Sequence, residues 1–86
     1  MVELNLSDTL KLGIKARRTG RLKASYHYFS TILEVAPDHS DANHNMGLLK
    51  VALGKPKGSI RFFKKAISTN PSVSQYWVSY IGELIN

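Results

Sequence analysis

The chain has no cysteine, so neither a disulfide framework nor a thiolate metal site is available to it. No apolar run approaches the ~20 residues that a membrane span requires. The opening residues, Met1-Val2-Glu3-Leu4-Asn5, lack the basic region and apolar stretch of a secretory signal, and a cytoplasmic location is the resulting expectation. Acidic residues are scarce: 6 Asp+Glu stand against 12 Lys+Arg, for a net charge of +6. No segment alternates apolar and polar residues with period two, so no sheet is expected. What remains is 43% hydrophobic, enough for a globular fold, in 86 residues that fit one small domain with a modest core.

The chain repeats itself. Setting residue n beside residue n+34 pairs Gly13 with Gly47, Gly20 with Gly54, Lys23 with Lys57, Ser25 with Ser59, Phe29 with Phe63, Pro37 with Pro71 and Ser40 with Ser74. Similar residues also align, among them Leu12 with Met46, Ile14 with Leu48 and Tyr28 with Phe62. A fixed period of this size marks one supersecondary unit used more than once, each burying its apolar face on its neighbour.

Between the glycines and prolines the pattern is helical. Residues 7–18 mix Leu10, Leu12, Ile14 and Ala16 with polar residues over three turns. In 22–35, Leu22, Tyr26, Phe29, Ile32 and Leu33 recur at helical spacing. Gly20 sits just past the first helix, where a left-handed cap is cheapest, and Pro37 stops the second. The cycle returns with Ser40 or Asp41 as cap for a helix over 41–53, Gly54 as its end, and Pro56 at the first position of the next. Asn70-Pro71 closes that helix, and a fifth starts near Ser72 or Ser74. Gly13 and Gly47 fall mid-helix, where glycine costs ~1 kcal/mol relative to alanine. Close approach of two helices is the reason expected for them.

Two helices in each repeat of this length resembles the tetratricopeptide repeat, whose signature runs W-x2-L-G-x2-Y, A-x3-F, P. The first unit supplies Thr9, Leu12-Gly13, Ala16, Ser25, Phe29 and Pro37; the second supplies Asn43, Met46-Gly47, Lys50, Ser59, Phe63 and Pro71. The third keeps Trp77 at the tryptophan position but has Tyr80-Ile81 in place of Leu-Gly. The resemblance implies an all-α fold, a right-handed superhelix of antiparallel helix hairpins. Two tetratricopeptide units, 6–39 and 40–73, would be followed by a terminal helix over 74–86, all within one domain spanning 1–86.

By the same resemblance, the first helix of each unit lines a concave groove. The groove positions offered to a partner are Leu10, Lys11, Ile14, Arg17, His44, Asn45, Leu48, Val51 and Val78. One family mode grips a peptide's terminal carboxylate with Lys, Asn and Arg side chains, and only Asn45 matches it. The groove reads instead as apolar, suited to an apolar or amphipathic segment. The fifth helix carries Trp77, Tyr80, Ile81 and Leu84 where a sixth would pack, so self-association is expected there, as a homodimer.

The chemistry-bearing residues do not form a site. His27, His39 and His44 are scattered; Asp41 and His44 stand one helical turn apart but lack a third ligand at suitable spacing. No metal, cofactor or catalytic residue is expected, and the protein is expected not to be an enzyme. The expected function is a protein–protein interaction or self-assembly module. The alternatives are an accessory repeat module of a larger protein, such as a transferase, and a basic nucleic-acid binder. The last is disfavoured because no aromatic platforms interleave with the basic clusters flanking Gly20 and Gly54.

Overall fold

The computed structural model describes residues 5–85. They form five α-helices: α1 (Leu6–Arg18), α2 (Leu22–Val35), α3 (Ser40–Ala52), α4 (Pro56–Thr69) and α5 (Ser74–Leu84). The domain limits expected at 1 and 86 lie outside the described residues. No strand occurs among the described residues. Each helix packs against the next in the chain, and α1 also touches α3.

The turns follow the glycines. Gly20 and Gly54 have φ of 80° and 76°, the left-handed conformation that glycine adopts without strain. At the end of α1, the Arg21 N–H donates to the Ala16 carbonyl at 2.8 Å and the Gly20 N–H to that of Arg17 at 3.2 Å. At the end of α3, the Lys55 N–H donates to Lys50 at 2.8 Å and the Gly54 N–H to Val51 at 3.0 Å. This nested pair of bonds satisfies carbonyls that a helix end otherwise leaves unpaired. Pro56 opens α4 at its first turn, where it lacks no needed donor.

The mid-helix glycines are contact points. A Cβ on Gly13 would lie 2.8 Å from Phe29 Cδ1 and nearer still to Cε1; one on Gly47 would lie 2.6 Å from Phe63 Cδ1. Each phenylalanine ring therefore rests directly on the backbone of the preceding helix. Phe29 and Phe63 are both fully buried. Phe29, Met46 and Leu49 form the core, with Leu10, Ile14, Leu22, Leu33 and Phe62 packed around them. Ser25 and Ser59 fill the small-residue positions and are also fully buried. Ser25 Oγ donates across the hairpin to the Gly13 carbonyl at 2.8 Å, whereas Ser59 Oγ donates within its own helix to Pro56.

The cap of α3 differs from expectation. It is His39, whose Nδ1 accepts from the Ala42 N–H at 3.1 Å, not Ser40 or Asp41. Both of those side chains are engaged elsewhere. Ser40 Oγ pairs with Thr69 Oγ1 at 2.7 Å, and the Asp41 carboxylate accepts from Tyr76. Asn43 braces the same turn, donating to the carbonyls of Pro37 at 3.0 Å and His39 at 2.9 Å. At α1 the cap is Asn5, whose Oδ1 accepts from the Asp8 N–H at 3.1 Å.

Gly47→Ala should destabilise the fold. Overpacking against Phe63 costs ~1–3 kcal/mol, of which improved helix propensity returns at most ~1 kcal/mol. Gly58→Ala in α4 should do the reverse, because a Cβ there meets only Lys50 Cδ at 3.8 Å. A stabilisation of ~0.5–1 kcal/mol is expected. Urea unfolding of the two variants checks the contrast; equal effects of one sign would contradict it.

Candidate functional site

The first helices of the three units lie side by side, with α3 in the middle. Its residues from Ala42 through Gly47 are all buried, because α4, α2, α1 and α5 surround them. His44 is 6% exposed. Its Nε2 lies 2.8 Å from Ser79 Oγ of α5. Its ring is 4.9 Å from that of Tyr76 and 5.6 Å from that of Phe63, both tilted. The Tyr76 hydroxyl donates to the Asp41 carboxylate one turn earlier on α3. Two side-chain hydrogen bonds therefore tie α5 to α3.

Electrostatics in this cluster favour the neutral imidazole of His44 and the neutral phenol of Tyr76. Burial lowers the His44 pKa from its ordinary value; Asp41 opposes the shift and Arg17 adds to it. The Tyr76 phenol is raised by burial, by its hydrogen bond to Asp41 and by that carboxylate's charge. Burial, and then the neighbouring Arg18, lower Arg17. Arg17 Nε is enclosed and makes no hydrogen bond among the described residues.

The groove residues proposed from sequence take different places. Leu10 and Ile14 are half-buried and packed on the core. His44 and Asn45 are buried, His44 against α5 and Asn45 with its amide donated to the Asp41 carbonyl at 2.8 Å. Leu48 and Arg17 are half-buried. Lys11, Val51 and Val78 are exposed. Lys11, Ile14, Lys15, Arg18 and Thr19 line one shallow depression along α1.

The self-association residues lie mostly at the surface. Trp77 is 41%, Ile81 50% and Leu84 55% exposed, while Tyr80 is half-buried. Trp77 Nε1 donates to the Pro71 carbonyl at 2.7 Å, which fixes the ring over the turn before α5. Two further residues join the stripe: Val78, 62% exposed, and Ile85, 80% exposed. The helical spacing of Ile85 was a sufficient signal for including it. At the C-terminal end of α5, Leu84 and Glu83 meet Val51, Pro56, Lys57 and Ile60 around a second depression.

Several cations are engaged. Lys50 Nζ sits 5.4 Å above the Tyr26 ring, and Lys65 pairs with Asp38 at 2.8 Å. Arg61, Lys64, Lys65 and Ser68 line a basic depression on α4. Among the described residues, no group of three or more His, Asp or Glu is placed to hold a metal ion. No helix among them is long and apolar enough to cross a membrane.

No protein-family model matches the chain. It is similar to the protein named "Protein CTR9 homolog" of Arabidopsis thaliana, 32% identical over 74 residues. The match covers 86% of this chain but only 7% of that protein.

The His44 environment predicts an acid-sensitive fold. The ring's pKa is lower folded than unfolded, so its contribution is fully present above the unfolded value of about 6.5 and is lost as pH falls towards the folded one. The urea midpoint should drop between neutral and mildly acidic pH. His44→Gln should be less stable at neutral pH yet show a smaller drop. An identical pH slope in wild type and variant would exclude His44 as the cause.

Proposed function

We propose that this protein is a non-catalytic protein-interaction module of the tetratricopeptide type, acting through the apolar stripe on α5 and the adjoining face of α1 and α3. The observation that carries this reading is the stripe itself. Trp77, Val78, Ile81, Leu84 and Ile85 leave a contiguous apolar surface in contact with water, and such surfaces mark contact sites. Support for the repeat type comes from the two glycine-on-phenylalanine hairpins, one repeat apart, and from the turn and proline positions. The partner suited to this face is an apolar or amphipathic helix.

A second reading is favoured by one observation. The similarity to the plant protein occupies a small fraction of a much longer chain. A unit of this kind therefore also fits an accessory repeat module that works within a larger protein or complex.

Affinity capture with quantitative mass spectrometry tests the interaction reading. Tagged wild type should recover proteins that a Val78→Asp/Leu84→Asp variant does not, both being exposed positions whose change leaves the core intact. Circular dichroism checks that the variant remains helical. Recovery of the same proteins at the same abundance by both forms would defeat the assignment of α5 as the contact surface.

A further inference from the structure

We infer that the α5 stripe is occupied by α5 of a second copy, in an antiparallel pair whose twofold axis passes beside Ile81. This deepens the proposed function and rests on its assignment of α5 as the contact surface. Three observations select this occupant.

The first is the register of the repeat. Gly13, Gly47 and Ile81 occupy equivalent positions in successive repeats. At the first two, a phenylalanine from the following helix rests where even a Cβ would collide. Ile81 fills that slot with a branched side chain, so another helix of the α2 or α4 kind cannot dock on α5 in the repeat's own geometry. The apolar face is open, but not to one more regular unit.

The second is the symmetry of the stripe. The exposed apolar positions 77, 78, 81, 84 and 85 are symmetric about 81. At ~100° per residue they fall within an arc of about 120° centred on Ile81. An antiparallel twofold pairing places Ile81 against its own copy, Trp77 against Leu84 and Val78 against Ile85. Every exposed apolar side chain of the stripe then meets another, as an isologous contact requires.

The third is charge. The protein carries +6, and α1, α2, α3 and α4 all bear cations. Helix α5 bears none; Glu83 is its single charged residue. Of the five helices, α5 alone carries no cation of its own, and Lys57 of α4, the cation at the depression beside Leu84, has Glu83 on the same depression, so two copies of so basic a chain meet least repulsion along it.

Sedimentation and site-specific cross-linking test the inference together. Wild type should shift from a 9.6 kDa monomer to a species of twice that mass as concentration rises into the upper micromolar range. Ile81→Asp should weaken dimerisation at least about ten-fold while remaining helical by circular dichroism. The chain has no cysteine, so a single introduced thiol reports on one position. Ile81→Cys should oxidise to a covalent dimer faster than Val35→Cys, an exposed control on α2. Equal rates would overturn the twofold at Ile81, and a dimer unaffected by Ile81→Asp would overturn the α5 interface. A wild type that stays monomeric overturns the second copy as occupant. If capture of other proteins still depends on Val78 and Leu84, the interaction reading survives that outcome; if it does not, both fail.

Discussion

The contact between a phenylalanine ring and a glycine backbone sets the rest of this structure. It occurs twice, Phe29 on Gly13 and Phe63 on Gly47. In each case the ring is fully buried and the two helices approach until no Cβ fits between them. Dispersion attraction falls steeply with separation, so a hairpin held this close gains more from its packing than a looser one. That gain offsets the ~1 kcal/mol a mid-helix glycine gives up. The serine positions belong to the same device. Ser25 and Ser59 are small enough to sit beside the rings, and each hydroxyl is satisfied by a carbonyl rather than left orphaned.

Because the two hairpins are built alike, the sequence period carried most of the fold. The glycines after α1 and α3, the prolines after α2 and α4, and the helical spacing of apolar residues placed all five helices to within a residue or two. These signals are local, and local geometry decides them. The cap of α3 was harder to see. Ser40 and Asp41 are good caps in isolation, but Thr69 and Tyr76 engage their side chains, leaving His39 to accept from the helix. Those partners lie far along the chain, on α4 and α5. No reading of a short window contains them.

The candidate site was legible in part for the same reason. Ile81 stood out because it takes the place of the repeat's glycine, Trp77 and Leu84 because they lie on the face where a sixth helix would pack, and Ile85 extends their stripe by simple helical spacing. The His44 cluster could not. Sequence showed Asp41 and His44 on one helical face, as half of a possible site. The structure shows each committed to α5, Asp41 through Tyr76 and His44 through Ser79. A polar pair on a helix surface and a polar pair at a helix junction look identical in sequence. Only the neighbour distinguishes them.

Equivalent positions make this concrete. Leu10, His44 and Val78 stand at the same place in successive repeats, on α1, α3 and α5. Leu10 is half-buried on the core, His44 is buried between α3 and α5, and Val78 is 62% exposed. The middle helix has a flanking helix on either side; the outer ones have it on one side only. A histidine is tolerated in the enclosed place because Ser79 satisfies one of its ring nitrogens and the rings of Tyr76 and Phe63 lie tilted beside it. A valine is left on the outer helix, where an isolated unit would be better served by a polar residue. An apolar side chain at the open face of α5 gains nothing from the repeat itself, since no helix covers it within the described residues. Its exposure is the counterpart of the burial of His44, the same position of the repeat without the second flanking helix. The outer face of α5, rather than the regular interior of the repeats, is therefore where the described residues leave apolar surface uncovered.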